Sequence, residues 1–213
     1  PNPRLLKLAE NGDLLVSNPR TGEIIALTDS NGDGTADLHR VLLPGLTRPQ
    51  GLELHDGYLY VGESNQVGRA PYDAATGELT GAYEVVVPNL TDNGNHWSKT
   101  LRFDKAGWMY VSMGSTCNVC EEEDPRRATI MRYRADGSEG QVFASGLRNS
   151  VGLDFAPWNG TLYATDNGRD LLGDDYPPCE LNAISEGAFY GWPYLNGDNE
   201  LDPDFGAGKE HLQ

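Results

Sequence analysis

Basic residues are scarce in this 213-residue chain: 16 Lys and Arg stand against 32 Asp and Glu, for a formal net charge of −16. A surface of that sign repels phosphate backbones, which argues against nucleic acid and anionic membranes as partners. Long hydrophobic runs are missing too. No stretch approaches the ~18 apolar residues that a membrane-spanning helix requires, and the first residues lack the pattern of a signal peptide. The chain opens at Pro1 almost directly inside a strand, as expected of a processed form or a fragment. Cysteine is rare, with three copies. Cys117 and Cys120 form a lone CxxC, without the second pair or nearby histidines that a four-ligand zinc site needs. A thioredoxin-like motif would open a helix, whereas acidic loop residues follow here. The preferred reading is a short-range disulfide in an oxidising compartment, with Cys179 left as an unpaired thiol. Helical periodicity is nearly absent. Plentiful instead are turn formers, 26 Gly and 13 Pro, the composition of a turn-rich all-β protein.

Four times a turn residue and a glycine precede a short apolar strand. The copies are Asn11-Gly12-Asp13-Leu14-Leu15-Val16, Asp56-Gly57-Tyr58-Leu59-Tyr60-Val61, Ala106-Gly107-Trp108-Met109-Tyr110-Val111 and Asn159-Gly160-Thr161-Leu162-Tyr163-Ala164. Glycine-to-glycine spacings are 45, 50 and 53 residues, which fits one four-stranded blade of a β-propeller per copy. Alternation and turn signals predict four blades in one domain over 1–213. They are Arg4–Leu8, Asp13–Asn18, Glu23–Thr28 and His39–Leu43; Gly51–Leu54, Tyr58–Gly62, Gln66–Pro71 and Ala82–Pro88; Lys99–Phe103, Trp108–Met113, Thr129–Arg134 and Gln141–Ala144; and Gly152–Phe155, Thr161–Asp166 and Glu180–Ala183, with the last outer edge undefined. A second echo pairs Gly45-Leu46-Thr47-Arg48-Pro49-Gln50-Gly51-Leu52 with Gly146-Leu147-Arg148-Asn149-Ser150-Val151-Gly152-Leu153. Both segments precede an innermost strand, where an inter-blade loop passes the channel mouth.

Several side chains on such loops carry possible chemistry. Asp29, Asn31, Asp33 and Asp37 lie in D-x-N-x-D-G-x-x-D, a spacing that lets a loop wrap a structural calcium ion; an exposed Asp/Asn/Gly turn explains the same residues. His96, in Asn93-Gly94-Asn95-His96-Trp97, is either a base poised before blade three or a loop histidine packed on Trp97. Arg148 and Asn149 pair a fixed charge with an amide, suited to clamping a planar, oxygen-rich ligand; a turn with a surface arginine is the alternative. Glycine in Asp166-Asn167-Gly168-Arg169-Asp170 frees backbone carbonyls to meet a hard cation. The aromatic run Phe189-Tyr190-Gly191-Trp192-Pro193-Tyr194 stacks on a ligand ring or packs in the core.

Taken in order, Gly94-Asn95-His96, Gly146 to Leu153, Asp166-Asn167-Gly168 and Tyr190-Gly191-Trp192-Pro193 resemble the soluble, pyrroloquinoline-quinone-dependent sugar dehydrogenases, the glucose and sorbosone dehydrogenase group. The Ser115-Thr116-Cys117-Asn118-Val119-Cys120 loop is most similar to the sorbosone-type branch. The resemblance implies a six-bladed propeller, of which this chain carries four blades, with PQQ over the channel mouth and calcium beside it. It implies His96 as the general base that takes the sugar hydroxyl proton while hydride passes to the quinone. Arg148 would stabilise developing charge on the cofactor; Asn149 and Trp192 would contact it, and the backbone carbonyls of Gly168 and Arg169 would ligate calcium. A small-molecule sugar as substrate, an unnamed electron acceptor and a periplasmic or secreted setting follow from the same likeness. Ser115 stands where glucose dehydrogenases place an aspartate, and Cys179 where an acidic residue is usual. A chain of four blades would leave strand edges open to self-association. Two other functions compete: a calcium-dependent lactonase centred on Glu63, Asn149 and Asp166, and a non-catalytic propeller acting as a binding or assembly module.

Overall fold

The computed structural model describes residues 3–213 and is all-β, with a single 3-10 turn at Glu210–Leu212 among the described residues. No helix among them is long and apolar enough to cross a membrane. The chain divides into two compact units, Pro1–Leu90 and Thr91–Gln213, and carries the four propeller blades two to a unit.

In the first unit, blade one is the antiparallel meander Leu6–Leu8 (β1), Leu14–Asn18 (β2), Glu23–Thr28 (β3) and Leu38–Leu43 (β4). Blade two follows as Gly51–His55 (β5), Tyr58–Gly62 (β6) and Val67–Asp73 (β7). Glu78–Leu79 (β8) then pairs with the end of β7, and Glu84–Val87 (β9) with its start. The β8 hairpin was not anticipated. Its turn is set by Asp73, whose carboxylate accepts the Ala75 and Thr76 amides, and by Gly77 at φ 73°. Strand alternation buries Ile24 and Ala26 of β3 together with Leu52, Leu59 and Val61 of blade two in one core cluster.

In the second unit, blade three comprises Leu101–Phe103 (β10), Trp108–Met113 (β11), Thr129–Arg134 (β12) and Gln141–Ser145 (β13). Blade four has three strands, Ser150–Phe155 (β14), Leu162–Asp166 (β15) and Glu180–Ile184 (β16), and the hairpin Leu195–Asn196 (β17) and Glu200–Leu201 (β18) follows. Tyr110, Ile130 and Phe143 of blade three pack with Leu153, Leu162 and Ile184 of blade four, and Leu147 closes the cluster from the connecting loop. Apolar burial of this kind supplies ~25 cal/mol per Å², so each fully buried leucine stabilises the unit by ~2 kcal/mol.

The repeated glycines explain the repeat. Gly12, Gly57, Gly107 and Gly160 all adopt positive φ, 90°, 76°, 79° and 73°, at the turn into the second strand of their blades. A Cβ at Gly12, Gly57 or Gly160 would meet nothing within 4 Å, so backbone conformation rather than space demands glycine.

Candidate functional site

The loop from blade three to blade four is anchored before it offers any chemistry. Gly146 has φ 73°, and a Cβ there would stand 2.6 Å from the Phe189 ring. The Leu147 amide donates to the Ala128 carbonyl at 3.0 Å while its side chain is buried. Asp166, at the end of β15, then receives the loop: its carboxylate accepts the Arg148 amide at 2.8 Å, the Asn149 amide at 2.7 Å and the Ser150 hydroxyl at 3.1 Å. Burial pushes the Asp166 carboxyl up to about 6, against these donors, which favour the carboxylate. The register between β14 and β15 slips between Ser150 and Gly152, a bulge at the foot of the site.

Arg148 is a buried cation, not a surface arginine. Its Nε donates to the Asn118 carbonyl at 2.8 Å. Nη1 reaches the Asn167 and Gly168 carbonyls at 3.2 and 2.9 Å, and Nη2 reaches Asn118 Oδ1 at 2.8 Å and Asp170 Oδ2 at 3.0 Å. Every guanidinium nitrogen is engaged. The Asp170 side chain is 76% accessible, so a ligand oxygen can replace its carboxylate.

His96 enters from the segment before blade three. Gly94 has φ 77°, and a Cβ there would lie 1.9 Å from the Thr116 carbonyl oxygen, so the close approach admits only glycine. The buried Arg127 staples this segment to the end of β11. Its guanidinium donates to the carbonyls of Thr91 (2.7 Å), Asn93 (3.3 Å), His96 (3.4 Å) and Ser115 (2.8 Å). His96 does more than pack on Trp97: its Nδ1 lies 2.8 Å from Ser115 Oγ, and that hydroxyl donates to the Cys117 carbonyl at 2.7 Å. A hydroxyl has one proton. With that proton on the Cys117 carbonyl, Ser115 must accept from Nδ1–H, which leaves Nε2 as the unprotonated nitrogen. Burial first, and the Arg148 charge second, push His96 down to about 4, so it is neutral across the physiological range. A side chain at Gly114 would stand 2.6 Å from His96 Cβ and 3.0 Å from Asn149 Oδ1, so a bare backbone lets these two residues flank one point.

Other expected residues are placed differently. The carbonyls that converge on Arg148 are those of Asn167 and Gly168. The Arg169 side chain is buried and paired with Asp202 at 2.6 Å and Asp204 at 2.9 Å. Trp192 is buried, its indole N–H donating to the Asn118 carbonyl at 3.3 Å. Cys117 and Cys120 are joined in a disulfide, and Cys179 is a free, exposed thiol. Asp29, Asn31, Asp33 and Asp37 accept the amides of Gly32, Gly34, Asp33, Thr35 and Ser30. The Gly34 amide leads the donors that hold the Asp29 carboxyl below its ordinary value. The carboxylate oxygens of Asp29, Asp33 and Asp37 are not drawn together as a metal trio, and the loop is a turn held by its own amides. Glu63, buried, accepts the Thr47 amide, Gln66 Nε2 and Tyr83 Oη at 2.5, 2.6 and 2.8 Å. Both carboxylates named for a lactonase are thus committed to holding their own loops.

Sequence reasoning missed Arg127 and Asn118. Asn118 had one visible signal, its place between the two cysteines. Arg127 had none, because its four acceptors are backbone carbonyls, which leave no trace in residue identity.

Fold and site together define a β-propeller whose candidate centre is built from the loops of blades three and four. The sequence model described as TrAA12-like matches residues 1–186, and the chain belongs to that family. A pyrroloquinoline quinone-dependent sugar dehydrogenase from Hypocrea jecorina is 26% identical over 245 residues, covering 96% of this chain and 56% of that protein. The calcium structure of a Trichoderma reesei protein of Carbohydrate-Active Enzymes Family AA12 matches with a TM-score of 0.77 at 25% identity, over 96% of this chain and 59% of the other. The holo form of the pyranose dehydrogenase PQQ domain from Coprinopsis cinerea matches with a TM-score of 0.78 at 21% identity, over 91% and 54%, a likeness of fold. The chain spans between 29% and 56% of the curated relatives it matches.

Proposed function

We propose that this chain carries the base-bearing part of a sugar dehydrogenase that uses PQQ and calcium, with His96 as the general base. The observation that carries the reading is the Cys117 carbonyl–Ser115–His96 relay, which leaves Nε2 with its lone pair free. Nδ1–H stays on Ser115 while Nε2 takes the proton of the sugar hydroxyl. A neutral hydroxyl partner holds the tautomer without adding charge, so Nε2 stays unprotonated and available as the base.

The donor set suits the two groups. The backbone carbonyls of Gly168 and Arg169, on the loop after β15, are the oxygens assigned to calcium, since hard carbonyl oxygens are calcium ligands. When bound, the quinone supplies the two-electron acceptor; the residues of this chain hold and orient it. Arg148 is fixed for an anionic oxygen that takes the place of the Asp170 carboxylate, and Asn149 offers an amide beside His96. Trp192 supports the site by packing rather than by an open ring face. The Cys117–Cys120 disulfide suits an oxidising compartment, periplasmic or secreted.

Two measurements test this. PQQ and calcium added together should raise the thermal midpoint of the chain, and the absence of a shift would favour a non-catalytic propeller. In the reconstituted enzyme, His96→Gln should lower dye-coupled sugar oxidation ~10²-fold with little change in thermal midpoint. Retention of the wild-type rate would remove His96 from the base role.

A further inference from the structure

We propose that Asn118 is the positioning residue for Arg148, held in place by the four-residue ring that the Cys117–Cys120 disulfide closes. The proposal deepens the reading of Arg148 given above and rests on it.

Asn118 grips the guanidinium twice, through its backbone carbonyl on Nε and its side-chain Oδ1 on Nη2, both at 2.8 Å. Two acceptors on adjacent nitrogens fix the guanidinium plane as well as its position, as a bidentate carboxylate does, but without neutralising its charge. The same Oδ1 accepts the Asp170 amide at 2.7 Å, and Nδ2 donates to the Asp170 carbonyl at 3.0 Å. Asn118 therefore ties the loop after β11 to the loop after β15, 52 positions away in sequence. An amide alone does this: an aspartate would lose the donor, and a glutamine would be one methylene too long for a closed pair with one residue's backbone.

The ring matters because Asn118 lies on a long connection, 114–128, between β11 and β12. Such a segment has many conformations, and a cross-link between Cys117 and Cys120 removes most of those open to the residue between them. Further contacts close the same loop: the Thr116 amide and hydroxyl both donate to Glu122, at 2.6 and 2.8 Å. The Cys117 carbonyl that orients Ser115 belongs to the same ring. One short disulfide loop thus sets the tautomer of His96 from its first residue and the plane of Arg148 from its second.

The test reads Arg148 directly, in the chain without added quinone or metal, as the solvent exchange rate by ¹⁵N NMR of the Arg148 Nη2 protons, which donate to the Asn118 side chain. Asn118→Ala should accelerate that exchange about tenfold or more, the scale of one lost charge-assisted hydrogen bond, and Asn118→Asp, which keeps the acceptor, should restore most of it. Exchange in Asn118→Ala within about twofold of wild type would overturn the proposal. Should the alanine variant fail to fold, the wild-type chain with its disulfide reduced is read the same way, with the same two outcomes. PQQ binding in calcium is the second readout, weakened about tenfold in Asn118→Ala. A wild-type chain that binds no quinone would defeat the proposed function and leave the exchange result standing. Unchanged exchange would defeat the role of Asn118 and leave the function standing.

Discussion

The loop 45–52 leading into β5 and the loop 146–153 leading into β14 are built on one plan. Each opens on a glycine at φ 74° or 73°. In each, the next leucine donates its amide to the residue before the third strand of the preceding blade, Leu46 to Gly22 at 2.9 Å and Leu147 to Ala128 at 3.0 Å. The third residue then gives its amide to an acidic side chain at the end of the following blade's second strand, Thr47 to Glu63 at 2.5 Å and Arg148 to Asp166 at 2.8 Å. The difference lies in what the anchored loop presents. Glu63 spends its remaining capacity on Gln66 and Tyr83, whereas Asp166 gives all of its capacity to residues 148–150. The anchor is therefore a property of the repeat, and the chemistry is a property of the two residues it carries in the second loop.

Removing the anchors is the severest way to break that comparison. Glu63→Ala and Asp166→Ala should each destabilise the chain by about 2–4 kcal/mol, because either change leaves several buried donors without an acceptor. Chemical denaturation measures the loss. Only Asp166→Ala should also abolish binding of PQQ and calcium. If Glu63→Ala abolished it as well, the two loops would not be separable into a structural and a functional copy.

How much of this was legible in the sequence follows from the same pair of loops. The glycines and leucines could be read because positive φ and burial each restrict residue type, so the plan repeats visibly. His96, Arg148 and Asn149 could be read as candidates because their side chains are chemically distinctive and sit on loops the repeat had placed. Asn118 and Arg127 could not, since Asn118 meets the Arg148 guanidinium across 30 positions and Arg127 reaches the Thr91 carbonyl across 36. The ion pair of Arg169 could not be read, because its buried partner Asp202 lies 33 positions on, just past a hairpin with no counterpart in the repeat. At the aspartate loop 29–37 residue identity leaves two readings, since a spacing that suits calcium suits backbone amides equally well.

A milder change converts one loop into the other. Arg148→Thr keeps the amide clamp on Asp166 and removes the cation. Because the Arg148 charge helps to depress His96, which lies at about 4, the imidazole should titrate higher in this variant, part of the way to the ordinary 6.5. Burial, the larger cause, keeps it from returning fully. An NMR titration of the His96 ring protons reads the change, and Thr47→Ser serves as the matching substitution in the other loop. An unmoved His96 in Arg148→Thr would mean that burial alone sets its value.

The smallest effect is also the most discriminating, because two groups of the site pull stability in opposite directions over nearly the same pH window. His96 binds its proton near 6.5 when unfolded and near about 4 when folded. Between those values the unfolded chain holds the extra proton, so this group makes stability rise with pH. Asp166 is the converse: its folded value is raised from 3.8 to about 6. Between those values the folded chain holds the extra proton, so this group makes stability fall as pH rises. In wild type the two slopes largely offset between about pH 4 and pH 6. Asp166→Asn removes the falling component, so its stability should climb more steeply across that window, and His96→Gln should climb less steeply or decline. Urea denaturation at a series of pH values measures all three slopes, with Glu63→Gln as the reference for loss of the other clamp carboxylate. If Asp166→Asn kept the wild-type slope, the Asp166 carboxylate would be ionised throughout, and the three donors from residues 148–150 would outweigh its burial.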